Sequence, residues 1–367
     1  MANINATSSD FETLEPLTSD YIQLASNAFC MVVGIPVNLW TFYRLFERYV
    51  DVRSRVQLLY LHLNISDLMV LIFYSLSRFC WLLTYEWLAG DFLCRFRKFL
   101  ESLSFAISSY LIVCIGLDRL YSLSKPLRAQ SVSRVKCMLA VAWLLAASVA
   151  LPQNFIWQVY NPPILGNFQQ CLTIWVVRAD RNESTSFDAV QMKLYASYHI
   201  VTIFWIPLMA IIGTYTLLWM KLNNRQCRPS VCEPKEQARR KNAYSFTEFC
   251  RFRLSVSAPK PPLIVNPRMD GLRRISGHAR LRRAKNKTLR TSVVLVAVYI
   301  ICWFPYNTLS FWNIVHPASY VLYEDTLYFM HGLVVLNSVL NPLIYGKAHF
   351  LPSTRRARAR FLESDVL

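Results

Sequence analysis

Seven stretches of this chain are apolar for about 20 residues or more, near 22–43, 57–83, 93–121, 137–157, 194–222, 287–312 and 325–345. No other feature limits the fold as strongly. An α-helix rises ~1.5 Å per residue, so each stretch can cross the ~30 Å hydrocarbon layer of a bilayer. The expected fold is therefore all-α, a transmembrane bundle of seven helices over 22–346. An N-terminal tail (1–21) precedes it and a cytoplasmic tail (347–367) follows. Composition points the same way, with 54% hydrophobic residues, only 17% charged and a net charge of +18. A soluble domain is rarely so apolar.

The positions of Lys and Arg orient the bundle. None precedes Arg44, whereas Arg44, Arg48, Arg53 and Arg55 follow the first run, Lys125, Arg128, Arg134 and Lys136 follow the third, and "STRRARAR" follows the seventh. By the positive-inside rule these segments are cytoplasmic and the N-terminus is extracellular, as expected for a multi-pass plasma-membrane protein. The acidic start lacks a cleavable apolar signal, so the first helix is expected to direct its own insertion. Cys94 then lies at the outer end of the third run and Cys171 in an outer connection, where the two can pair. Asn5 in "NAT" and Asn182 in "NES" are outer glycosylation acceptors. Cys30, Cys80, Cys114, Cys137 and Cys302, within apolar runs, read as packing residues.

Ionisable groups at membrane depth are costly and face a cavity or the bundle interior. Asp67 lies near the middle of the second run. Asn38, Ser108, Asn337, Ser338 and Asn341 lie in the first, third and seventh. They read as one polar cluster, which either holds a sodium ion among Asp67, Ser108, Asn337 and Asn341 or supplies hydrogen bonds between helices. No other cofactor is expected. Pro207, Pro305 and Pro342 each interrupt a run and predict bends. Asp118 and Arg119 end the third run. Taken alone, they are a solvated helix terminus.

The motifs of membrane chemistry are missing. There is no HExxH, no pair of carboxylates within one run, no phosphate-binding glycine loop, and no inverted repeat of broken glycine-rich segments, so neither an enzyme nor a transporter is expected. The basic connection at 223–286 carries "APKPPLIVNP" and reads as disordered or in fluctuating contact with anionic lipid. Without aromatic stacking motifs it is not read as a nucleic-acid binder. The tail after Tyr345 predicts a short amphipathic helix on the membrane surface.

"GLDRLYSLSKPL" (116–127), "CWFPY" (302–306), "NPLIY" (341–345), "NISDL" (64–68), "GIPVN" (34–38), Trp143 and Pro207 stand in seven successive runs in an order that resembles the rhodopsin-like G-protein-coupled receptors. The resemblance covers roughly 22–350. It implies that Asp118 pairs with Arg119 at rest, that Leu127 docks on a G protein, that Trp303 is a toggle below the ligand beside Pro305, and that Tyr215, Asn341, Pro342 and Tyr345 rearrange on activation. Leu120 stands where the family usually has Tyr, which leaves coupling expected and bears on basal activity. Run seven lacks the Lys that a retinal receptor needs.

The outer half is similar to gonadotropin-releasing hormone and adipokinetic hormone receptors in "KTLR", "CWFPYNTLSFW", "FQQC" and "EWLAGDFLCR", in part shared with vasopressin-type receptors. That likeness implies a secreted peptide ligand among Arg78, Lys98, Glu101, Ser102, Tyr306, Asn307, Trp312, Glu324, Asp325 and His331. It also implies a Gq/11 partner, with arrestin and receptor kinases as further partners. Asp67 and Asn341 keep the commoner family arrangement that mammalian gonadotropin-releasing hormone receptors exchange. Those receptors carry a Lys where Glu101 stands and an Asp where Arg78 stands. Glu101 and Arg78 are thus expected either to form a charge-reversed ion pair across the cavity or to meet the ligand directly. An amine receptor would have Asp at position 101.

Overall fold

The computed structural model describes residues 18–124, 131–163, 168–226 and 267–349. Among the described residues seven helices are long and apolar enough to cross a membrane: α1 Thr18–Val52, α2 Arg55–Thr84, α3 Gly90–Ser124, α4 Val132–Ile156, α5 Ser186–Asn223, α6 Leu289–Val315 and α7 Pro317–Gly346. Each coincides with one apolar run. Their outward faces carry Trp40, Leu144, Ile301 and Phe304, all exposed, as the lipid-facing side of such a bundle must. The free cysteines divide: Cys30, Cys114 and Cys302 are buried, but Cys80 and Cys137 are exposed, so the reading of all five as packing residues is corrected for those two.

Three boundaries differ from the apolar windows. The α1 helix begins at Thr18, within the stretch read as tail. Helical backbone reaches Gln226 at the end of α5 and resumes at Pro267 ahead of α6. Helix therefore enters both ends of the connection expected to be disordered at 223–286. The stretch "LRRISGHARLRRAKNKTLR" is rich in Leu, Arg, Lys and Ala, which propagate a helix already nucleated by packed α6. The remaining part, 227–266, and the tail helix expected beyond His349 lie outside the described residues.

The α3 helix is the hub. It touches α2, α4, α5 and α6, and 72% of its most apolar window is buried against 28% for α1. Two helices contain a wider π turn, Leu71–Leu76 in α2 and Val201–Trp205 in α5. In α2 the buried Ser75 on that turn donates to Asn27 Oδ1 of α1 at 2.9 Å. In α7 the backbone tightens to 3-10 winding over Tyr328–Val335.

Proline explains where α5 and α7 engage their neighbours. Without an N–H, Pro207 leaves the carbonyl of Ile203 unbonded within α5, and Pro342 does the same to Ser338 in α7. The Tyr299 hydroxyl donates to Ile203 O at 3.4 Å, and Asn38 Nδ2 donates to Ser338 O at 3.1 Å. Each freed carbonyl is thus taken by a side chain from another helix.

Between α4 and α5 a hairpin pairs β1 (Trp157–Tyr160) antiparallel with β2 (Gln170–Thr173), which brings Val159 opposite Cys171. It is fastened to the end of α2 and the connection after it: Trp81 Nε1 donates to Gln170 Oε1 at 3.1 Å and Trp87 N–H to Gln169 O at 2.8 Å. Asp91 of α3 accepts the Val159 N–H at 2.9 Å.

Gly34 marks the closest approach of α1 to α2 and α7. A Cβ there would lie 2.9 Å from Leu71 Cδ1 and 3.1 Å from Val339 Cγ2. Gly34→Val is therefore expected to destabilise the bundle by about 1–3 kcal/mol through overpacking. A melting temperature in detergent equal to that of the parent would show that the contact has slack.

Candidate functional site

At the end of the bundle that bears the hairpin, Cys94 and Cys171 form a disulfide with Cα atoms 5.7 Å apart, as the sequence predicts. It ties the start of α3 to β2, so the hairpin stands at the end of the bundle where the expected ligand residues Arg78, Glu101, Tyr306 and His331 lie. Tyr85 lies just past α2 and donates to Asp20 Oδ2 at 3.1 Å. Burial and that carboxylate push its phenol up to about 12, so it remains a donor.

The expected Glu101–Arg78 pair does not form. Glu101 Oε2 lies 3.0 Å from Arg97 Nη1 and 3.3 Å from Lys98 Nζ, one helical turn back on its own helix. Arg78 instead grips Gln23 Oε1 of α1 through Nε at 3.1 Å and Nη2 at 2.9 Å, and its guanidinium lies 4.4 Å from the Trp81 ring and 5.2 Å from that of Tyr328. The physical reason is proximity: two cations at i−3 and i−4 take the carboxylate before a residue on another helix can. Lys98 also stands 4.2 Å from the Trp157 ring on β1. Arg97, Gln23 and Trp157 belong to this site and were not singled out from sequence. The i, i+4 spacing of Arg97 and Glu101 was the available signal.

The other expected ligand residues fall into two groups. Tyr306 and His331 meet edge to face at 5.5 Å, Ser102 is buried with its hydroxyl unpartnered, and Asn307 is buried with Oδ1 unpartnered. Trp312 instead donates to Ser319 Oγ at 2.9 Å and packs on Tyr320 and Tyr323, at the junction of α6 with α7. Asp325 is exposed and Glu324 half-buried at the same junction.

Below the cavity, Trp303 is 3% exposed and makes ring contacts with Tyr306, Phe105, Phe204 and Tyr299 at 5.5–6.1 Å. Pro305 lies two residues further along α6. The Tyr299 hydroxyl oxygen also lies 3.2 Å from Ser109 Oγ of α3.

Deeper still is the polar cluster. Asn341 Nδ2 donates to Asp67 Oδ1 at 2.9 Å, and the Tyr345 hydroxyl lies 3.5 Å from Asp67 Oδ2. Asn64 donates to Asn38 Oδ1 at 2.7 Å and to the Tyr345 hydroxyl at 3.0 Å. Asn38, Asn64, Asp67, Asn341 and Tyr345 are all fully buried. Asn64 matches a glycosylation pattern by sequence yet serves as an internal strut. The oxygens Ser108 Oγ, Asn337 Oδ1 and Asn341 Oδ1 are buried without a donor, and such a set of acceptors beside a carboxylate fits a small hard cation.

At the far end Asp118 is wholly buried, and Arg119 Nη2 lies 3.2 Å from its Oδ2. Two further guanidiniums, Arg55 of α2 and Arg134 of α4, reach Asp118 Oδ1, the latter at 2.9 Å. The adjacent pair is therefore a four-member cluster and no solvated terminus. Tyr215 of α5 is half-buried and its ring covers Gly116, one turn before Arg119. Asn182 is exposed in a left-handed turn at φ 56°. Leu127 and Asn5 lie outside the described residues.

The G-protein coupled receptor daf-38 of Caenorhabditis elegans is 33% identical over 90% of this chain and 89% of its own length. A gonadotropin-releasing hormone receptor of Octopus vulgaris is 29% identical over 80% of this chain, which spans 63% of that receptor. The vasopressin V1b receptor of Homo sapiens is 28% identical over 83% of this chain and 68% of the receptor. The family model for seven transmembrane receptors of the rhodopsin family matches residues 37–345. Because that match runs from the middle of α1 through Tyr345 and takes in Asp67 and Asp118, the chain belongs to the rhodopsin family of seven-transmembrane receptors and is not an enzyme.

Proposed function

We propose that this receptor sits in the plasma membrane with its N-terminus outside and binds a secreted peptide of the gonadotropin-releasing hormone or vasopressin kind under the β1–β2 hairpin. It then activates a heterotrimeric G protein of the Gq/11 class at the Asp118 end, with calcium release. The observation that carries this reading is the position of Trp303, in ring contact with Tyr306 of the cavity on one side and Tyr299 on the other. A ligand that moves Tyr306, directly or through His331, moves the Trp303 ring that Tyr306 packs on, and through Tyr299 it disturbs α3 and the proline-freed carbonyl of α5. Relatives that respond to peptides support the ligand class.

A small amine is the second reading, and the site disfavours it. The acid an amine would seek, Glu101, is already shared by Arg97 and Lys98. Arg78, bonded to a neutral amide, is better suited to a peptide carbonyl that displaces Gln23. Asn182 would carry a glycan on the outer side. A sodium ion, if held, would be bound by the Asp67 carboxylate with the free oxygens of Ser108, Asn337 and Asn341, and would favour the resting arrangement.

Calcium release in cells given pools of secreted peptides or of amines tests the ligand class; a response to amines alone overturns it. With the active peptide in hand, Arg119→Gln is expected to leave peptide affinity within about threefold and to cut signalling by about tenfold or more, since the residue lies ~37 Å of helix from Cys94. Lost binding with normal signalling would reverse the assignment of the two ends. Raising sodium should weaken agonist affinity by about fivefold or more, and Asp67→Asn should abolish that dependence. An unchanged sodium response in the variant would remove the ion from the cluster.

A further inference from the structure

The three guanidiniums around Asp118 are not equivalent. Arg55 and Arg134 make hydrogen bonds, both to Oδ1. Arg119 makes none to this carboxylate: Asp118 Oδ2 and Arg119 Nη2 are close enough to attract as charges, yet each lacks a hydrogen-bond partner, as does Arg119 Nε. All of this occurs with Asp118 fully buried and Arg119 only 10% exposed. Arg134 is further fixed by the ring of Tyr121, 3.7 Å from its guanidinium. Local charge is three cations against one anion, so Arg119 is repelled by the same groups that occupy its partner.

We propose that Arg55 and Arg134 are positioning residues that compete with Arg119 for Asp118 and thereby set how readily Arg119 leaves for the G protein. The inference rests on reading Arg119 as the group that meets that protein. A carboxylate accepts a bidentate fork best when both oxygens are open to it. Here the helix-two and helix-four arginines hold one oxygen, and the third arginine keeps a Coulombic hold alone. Removing Arg55 leaves Oδ1 with one arginine in place of two and deletes a like charge, so Asp118 holds Arg119 more tightly and the resting state deepens. Removing Asp118 releases all three and has the opposite effect. A cluster that served only to staple α2 to α3 would respond with the same sign to both changes, because each deletes the same contact.

The test is agonist-independent nucleotide exchange by purified receptor in lipid nanodiscs, run in parallel on heterotrimers of the Gq, Gi and Gs classes. A wrong class in the proposed function then appears as activity on another heterotrimer and not as a missing effect. Arg55→Gln is expected to lower exchange about fivefold and Asp118→Asn to raise it by a similar factor. The double variant should match Asp118→Asn, and Arg55→Lys should recover most of the parent rate. Affinity for nucleotide-depleted heterotrimer gives the same comparison where basal exchange is slow, and should fall in Arg55→Gln. If Arg55→Gln does not fold, as judged by its melting curve, Arg134→Gln carries the same sign. A rise in exchange in either arginine variant, or no change, overturns the proposal. Unchanged affinity for the heterotrimer in Arg119→Gln would instead overturn the reading of Arg119 on which it rests.

Discussion

A carbonyl buried in hydrocarbon without a donor costs several kcal/mol, and the arrangement of this bundle follows from how it meets that constraint. Pro207 and Pro342 each remove one intrahelical bond, and the donors that replace them come from α6 and α1. The bends are thus also joints between helices. Tyr299 can leave Ile203 only if water or another donor enters, and Asn38 is bound to Ser338 under the same condition. Because Asn38 also accepts from Asn64, and Asn64 also donates to Tyr345, a shift of α7 at Pro342 perturbs α1 and α2 together. Networks of that kind have discrete arrangements in preference to a continuous range, since a half-satisfied network is worse than either end state.

Asp67 and Asp118, the two acids wholly buried among the described residues, are solvated by the protein in contrasting ways. Asp67 is met by an amide and a phenol, neutral groups that stabilise a carboxylate without cancelling its charge, and uncommitted oxygens lie in the same cluster. Asp118 is met by three cations, more than one carboxylate can engage fully. One site therefore lacks positive charge and the other has it in excess. Each imbalance leaves a buried group incompletely solvated, the first short of positive charge and the second short of acceptors.

Much of this was legible in the sequence because it is written in long, repeated signals. Seven apolar runs gave seven helices, the two outer cysteines gave the disulfide, and polar residues at matching depth gave most of the Asp67 cluster. What was missed depended on packing angles that spacing does not encode. Arg55 and Arg134 were read as markers of the cytoplasmic side, since nothing local shows that the start of α2 and the start of α4 converge on Asp118. Asn64 was read as part of "NISDL" and not with the polar cluster, although its place three residues before Asp67 puts both on one helix face. The Glu101–Arg78 pair was expected from a charge reversal relative to a known family. It failed because that comparison ignored Arg97 and Lys98, which are nearer.

That failure changes what the cavity asks of a ligand. With Glu101 shared between two cations of its own helix, the partners of Arg78 among the described residues are the Gln23 oxygen and two ring faces. A guanidinium so placed is desolvated yet not neutralised by a carboxylate in contact, and an incoming carbonyl or acidic group would strengthen its solvation where an ammonium would be repelled. Gln23 belongs to α1, and its amide nitrogen is within 3.4 Å of both Ser19 Oγ and Asp20 Oδ1. Displacing its oxygen from Arg78 would therefore loosen the tie between α1 and α2 at the mouth of the cavity. The same two helices are bridged lower down by Ser75 with Asn27 and by Asn64 with Asn38, so a ligand that captured Arg78 would act on the first link of a seam that ends at Tyr345.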